Sequence, residues 1–164
     1  MSKLIKNWQN RKPKHYKQHK KLMRKLGQHK GKRLDQYAEE LHENTFQQID
    51  CLDCANCCTS IPPIVTKGDV SRIAKHLSMK VSDFEEQYLT TDEDNDTVMN
   101  QSPCPFLLED NMCFIYEFRP KACRQYPHTD NYEFSKHLNL HAQNALYCPA
   151  VFHILETMQQ NIPT

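Results

Sequence analysis

Glycine is scarce, with three in 164 residues. Loops that cradle phosphates need several glycines so the backbone can approach the ligand, and no P-loop or other Gly-rich nucleotide signature is present. No window approaches the ~18 apolar residues of a membrane-spanning helix. The basic start is followed by no apolar run of about 7–15 residues and no small-residue cleavage site, so no secretory leader is expected. There is no internal repeat, and no motif for a Ser-His-Asp triad or paired catalytic carboxylates. Hydrophobic residues make up 38% of the chain, below the ~45–50% apolar share of average chains. The core is therefore expected to be modest. The run Asp92, Asp94, Asp96 resembles a calcium loop. It lacks the glycine at the sixth position and the closing Glu, so residues 90–101 are expected to form a solvated acidic loop.

Acidic residues are absent from residues 1–34, which hold 13 of the 21 Lys and Arg. All 20 acidic residues follow. The expected organisation is a basic arm over 1–33, solvated or a helix fraying around Tyr16 to Leu26, ahead of an acidic domain over 34–160. The arm is suited to a polyanion such as RNA through Lys12, Lys14, Lys17, Lys20, Lys21, Arg24 and Lys25, with Trp8 and Tyr16 placed to stack on bases.

What the chain has in abundance is cysteine. Cys51, Cys54, Cys57 and Cys58 fall within the eight residues CLDCANCC. Cys104, Cys113, Cys123 and Cys148 lie in short segments rich in Pro and aromatics. With no export signal, a reducing cytoplasm is the expected compartment, where crowded thiols are metal ligands rather than disulfides. A two-residue spacer lets two thiolates meet one ion across a tight turn. Zinc suits a closed four-thiolate set, and an iron–sulfur cluster suits CxxCxxC. Cys58 is expected to point away from its neighbour Cys57. The eight thiols make two four-ligand sites, or one with spare cysteines. A thioredoxin-like reading fails because no βαβ pattern surrounds the motif and the thiols are too many. Arg119 and Arg124, with Lys121, flank Cys123 and are placed to offset thiolate charge, and Tyr116 and Tyr126 to shield it from water. His128 is the histidine best placed as an extra ligand. His15, His19 and His29 go with the arm, and His76, His137, His141 and His153 are expected at the surface or partly buried.

The fold class expected is mainly α: a small irregular helical domain with short extended segments, organised around cysteine-liganded metal. Leu34, Tyr37, Ala38, Leu41 and Thr45 mark a helix leading to Cys51. Thr66 with Asp69, and Ser82 with Glu85, have the spacing of helix caps. Cys104 and Cys113 suggest a small hairpin or knuckle, and Pro120 opens a single turn through Cys123. Two helical segments, 137–147 and 150–158, are separated at Cys148-Pro149.

Taken together, CLDCANCC, PCPFL, CFIYEFRPKACRQYP and YCPA resemble the CxxCxxCC cysteine-cluster family, the YkgJ-type zinc- or iron-chelating domain. The resemblance covers about residues 49–150. It maps the family's cysteines onto Cys51, Cys54, Cys57, Cys58, Cys104, Cys113, Cys123 and Cys148, and also covers Ile115, Tyr116, Arg119, Pro120, Arg124, Tyr126 and Pro127. It implies chelation of zinc or iron. A similar cluster accompanies methyl transfer in flagellin lysine methylases, but the missing nucleotide signature keeps that activity from being carried over. The expected function is a cytoplasmic metal-binding protein, holding zinc or an iron–sulfur cluster in a structural or electron-transfer role with a redox partner. The alternatives are an iron–sulfur-dependent redox or methyl-transfer enzyme, and a nucleic-acid-binding accessory protein using the arm.

Overall fold

In a computed structural model, residues 3–28, 31–130 and 133–162 are described. The chain is mainly α. In order, it forms α1 (Lys3–Leu26), α2 (Lys32–Phe46), α3 (Asn56–Ser60), α4 (Lys67–His76), α5 (Val81–Tyr88), strands β1 (Leu89–Thr91) and β2 (Thr97–Met99), then α6 (Lys121–Gln125), α7 (Leu138–Asn144) and α8 (Pro149–Asn161). The residues gather into two compact units. A terminal unit joins Met1–Cys54 to Pro127–Thr164, and a central unit spans Ala55–Tyr126.

The terminal unit is a helical assembly in which α1 packs on α7 and α8, and α2 packs on α8. Where the sequence suggests a solvated or fraying arm, the chain is a 24-residue helix with a buried face. Ile5, Trp8, Leu22, Met23 and Leu26 recur at helical spacing and join Phe152, Ile154, Leu155 and Met158 in one core. Charge on the opposite face hides this stripe from a composition count. Trp8 is 1% exposed and its Nε1–H donates to the Ala145 carbonyl at 2.9 Å, so it is not free to stack on a base. Tyr16 is half-buried against the same core. Lys14, Lys17, Lys20, Lys21 and Arg24 are exposed, Lys12 lies over the Trp8 ring at 4.1 Å, and Lys25 is half-buried. His29 lies outside the described residues.

On α2, Leu34 and Ala38 face the core, as the spacing predicts. Asp35 accepts the Ser135 N–H at 2.8 Å. Pro149 opens α8 at its first turn, where a missing N–H costs nothing. His141, expected at the surface or partly buried, is fully buried and stacked on Phe134 at 3.9 Å, and burial lowers its pKa to about 4. His153 is half-buried, its Nε2 bonded to the Leu4 carbonyl. Glu156 on α8 meets three side chains of α1: Arg11 Nη2 at 2.7 Å, His15 Nδ1 at 2.9 Å and His19 Nε2 at 2.9 Å.

The central unit has a smaller core: Val65, Val70, Ile73, Ala74, Phe84, Met99, Phe106 and Ile115. Thr66 and Asp69 form the expected capping box at the start of α4. Ser82 does not cap α5. The cap position is two residues earlier, at Lys80, so that the helix starts at Val81, and the Ser82 hydroxyl donates to Asp83 instead. The acidic segment is the tip of a hairpin rather than a bare loop. Strand β1 pairs antiparallel with β2, in register Leu89↔Met99, Thr90↔Val98 and Thr91↔Thr97. At the tip, the Asp92 carboxylate accepts the N–H groups of Asp94 and Asp96. This is local turn chemistry that occupies the acid a calcium loop would use.

Candidate metal centre

The cysteine-rich run is shared between the units, with Cys51 and Cys54 in the terminal one and Cys57 and Cys58 in the central one. All eight cysteines are thiols without a disulfide. Ala55 follows Cys54 with φ +45, a left-handed value uncommon for a residue with a Cβ. It is the residue from which α3 starts.

In the central unit, four thiols come close enough to bear on one another's ionisation. Cys58 lies in α3, and the Cys104 N–H donates to its carbonyl at 2.8 Å. Cys104 and Cys113 stand on the two arms of a knuckle. It is held by the Leu107↔Cys113 bridge and by Phe114 N–H to Phe106 O at 2.8 Å, and turned at Asn111 with φ +66. Cys123 comes from α6, whose first turn follows Pro120 as expected. Burial first, then Cys58, Cys104 and Cys113, push Cys123 up to about 12. Cys104 and Cys113 are likewise raised, first by burial, with the N–H groups of Phe106 and Leu107 opposing at Cys104 and that of Ile115 at Cys113. Cys58 is raised by its contact with Cys57, whose Sγ is 4.0 Å away, and by burial. Cys58 also acts on the ionisation of Cys104, Cys113 and Cys123.

This donor set fits a soft metal. Thiols that resist ionisation, first because they are buried and then because they act on one another, are stabilised together as thiolates when a cation neutralises them. N–H groups directed at sulfur assist the thiolate form.

A buried carboxylate that sequence reading took only as a helix cap positions part of this set. Asp69 is 1% exposed. It accepts the Thr66 N–H (3.0 Å) and hydroxyl (2.6 Å), Arg72 Nη2 (2.6 Å), and the Lys121 N–H at the start of α6 (3.1 Å). One side chain thus caps both α4 and the helix that carries Cys123. Burial alone would raise its pKa; the Thr66 hydroxyl, Arg72 and the two N–H groups outweigh this and hold it below the usual carboxylate range. Arg72 also donates to the carbonyls of Phe118 and Arg119, fastening the segment before α6. The one legible signal was the capping-box spacing; the bond to Lys121 crosses 52 residues.

Of the flanking residues, Arg119 is the cation that acts on the thiols, pulling Cys113 and Cys123 back down against burial. Its guanidinium stacks 3.7 Å over the Tyr116 ring and donates to the Tyr116 carbonyl at 2.6 Å. Tyr116 is 55% exposed, so it supports Arg119 rather than covering sulfur. Arg124 is exposed, and Tyr126 is half-buried at the end of α6.

In the terminal unit, Cys51 is exposed, whereas Cys54 and Cys148 are half-buried against the core. Burial, with smaller contributions from Cys51 and Cys54, pushes Cys148 up to about 12. The Val151 and Ala150 N–H groups at the start of α8 oppose it without making a capping hydrogen bond. His128, taken as the histidine best placed to ligate, has φ +67; burial, then His137, lower its pKa while Asp130 opposes.

Residues 50–149 match the CxxCxxCC family, described as a putative zinc- or iron-chelating domain. The match covers more than half of the chain, and the protein belongs to this family. No curated protein and no solved structure matches it. Helix α1 and nearly all of α8 lie outside the matched stretch. Among the described residues, no helix is long and apolar enough to cross a membrane.

Proposed function

We propose that the protein holds a metal in a four-thiolate site made by Cys58, Cys104, Cys113 and Cys123, and that this metal keeps the central unit folded. The observation that carries the reading is the mutual effect of these four thiols on one another's ionisation, drawn from three separate segments. A closed set of four half-buried thiolates is the arrangement of a structural zinc site, and it equally holds an iron–sulfur cluster. Zinc is favoured here because the role is to join segments that share little core. Arg119 supplies the neighbouring positive charge. Reduced thiols of this kind belong in a cytoplasmic compartment.

A second reading concerns Cys51, Cys54 and Cys148. Three thiols with one exposed leave a coordination position open, which favours an exchangeable or redox-active centre. Electron transfer to a redox partner, or iron–sulfur-dependent redox or methyl-transfer chemistry, would belong to this set. The exposed cations Lys14, Lys17, Lys20, Lys21 and Arg24 form the face of α1 that an RNA or other polyanion would meet, without help from Trp8.

Anaerobic purification followed by metal analysis and a visible spectrum tests the proposal. The expected result is a colourless four-thiolate zinc centre that Cys58→Ser and Cys123→Ser each remove. Full metal content in both variants would overturn the site. Brown protein with acid-labile sulfide would overturn the choice of zinc.

A further inference from the structure

Away from the thiols, α1 and α8 build a different donor set. His15 and His19 are four residues apart, so both project from the same face of α1. They meet Glu156, which arrives from α8 137 residues after His19. The ligand atoms His15 Nδ1, His19 Nε2 and a Glu156 carboxylate oxygen lie within 4.8 Å of one another. Their side chains are 17%, 1% and 11% exposed. The Phe152 ring backs the set, with its centroid 5.2 Å from His19 and 5.6 Å from His15.

We propose that His15, His19 and Glu156 form a second, independent site for a first-row divalent cation of the zinc class. The donor chemistry is two imidazole nitrogens and one carboxylate oxygen, a borderline set suited to zinc, cobalt or nickel and unlike the soft thiolates elsewhere. Three protein ligands leave a fourth position for water or a small anion. Both imidazoles now share Glu156 Oε1 at 2.9 Å. Metal–ligand bonds of roughly 2.0–2.2 Å place tetrahedral donors about 3.3 Å apart. An ion therefore enters by moving each imidazole nitrogen a few tenths of an ångström away from Oε1, within reach of side-chain rotation. Arg11 holds the other oxygen, Oε2, at 2.7 Å and so keeps the carboxylate aimed at the histidines. Such an outer partner orients a ligand without occupying the site. Its positive charge, with the other cations of α1, weakens cation binding, so the site is expected to fill and empty reversibly rather than hold its ion permanently. The set lies outside the family match, which ends at residue 149, so it belongs to this chain's own helices rather than to the shared domain.

The test uses full-length protein purified with its thiol-bound metal in place. Zinc chloride is added while the imidazole nitrogens are followed by long-range 15N–1H NMR. The expected result is a saturable shift of His15 Nδ1 and His19 Nε2 at one added equivalent. His15→Gln and His19→Gln should each weaken this binding at least 100-fold, and Glu156→Gln at least tenfold. Thiol-bound metal should be unchanged in all three. Imidazole resonances unmoved by millimolar zinc would overturn the site, and so would added zinc binding equally well to the glutamine variants. Should a variant unfold, the NMR titration of the unmodified protein decides alone. Loss of the thiol-bound metal would not touch this inference, because its readout is on the imidazoles.

Discussion

The two units use opposite means of holding together. The terminal unit buries three large aromatics, Trp8, Phe134 and Phe152, with a continuous set of aliphatic side chains from α1, α2, α7 and α8. The central unit has eight buried apolar residues in its core, short helices and a three-residue hairpin, yet it carries five of the eight cysteines. Burial of apolar surface stabilises the first. The second has a smaller core, and its thiols stand on short elements: a five-residue helix, a knuckle and another five-residue helix. Cysteine content and hydrophobic content are therefore complementary between the two units.

Stripping the metal should break the comparison most. Structural zinc contributes on the order of 10–16 kcal/mol in small peptides. Chelation under reducing conditions is expected to abolish hydrogen-exchange protection over residues 55–126 while α1, α2 and α8 keep theirs. Equal loss in both units would show that the metal does not serve the central unit in particular.

Phe152→Ala is the reciprocal experiment. Removing a fully buried aromatic costs about 3–5 kcal/mol. Protection in α1 and α8 should fall while the four-thiolate metal stays bound, read by exchange and metal analysis on one sample. Metal loss in step with α8 would merge the two units into one cooperative block.

The smallest effect expected is at Asp69. Asp69→Asn loses charge at two helix starts, for about 1–2 kcal/mol by the usual worth of a cap. Because its folded-state pKa lies below the unfolded value, Asp69 contributes its stability above the ordinary carboxylate pKa near 4. That contribution fades as pH falls through the depressed value. The difference in denaturation midpoint between wild type and Asp69→Asn, followed in the central unit, should thus be full at pH 6 and shrink below about pH 4. A difference independent of pH would assign the effect to packing.

What the sequence discloses follows the range of the interaction. The capping box of Thr66 and Asp69 spans three residues and is legible. So are the apolar period of α2, the stop at Cys148-Pro149, and the cysteine motifs, whose chemistry is written in residue type. Ser82 had the same spacing as Thr66, but the choice between capping and bonding Asp83 is settled by where Phe84 must be buried. The burial of α1 was masked because its lysines and arginines outnumber the apolar stripe that decides its fate. The effect of Cys58, Cys104 and Cys113 on Cys123 needs the third dimension, as does the meeting of His15, His19 and Glu156 across the length of the chain.

The way the terminal unit is assembled also sets an order of events during synthesis. Its first helix waits for Phe152, Leu155 and Met158, made more than 120 residues later. At roughly 5–20 residues per second, that is a delay of about 6–25 s. The central unit, one continuous stretch from Ala55 to Tyr126, is complete well before then. The buried face of α1 is uncovered in the meantime. That interval is when the nascent chain most needs a chaperone.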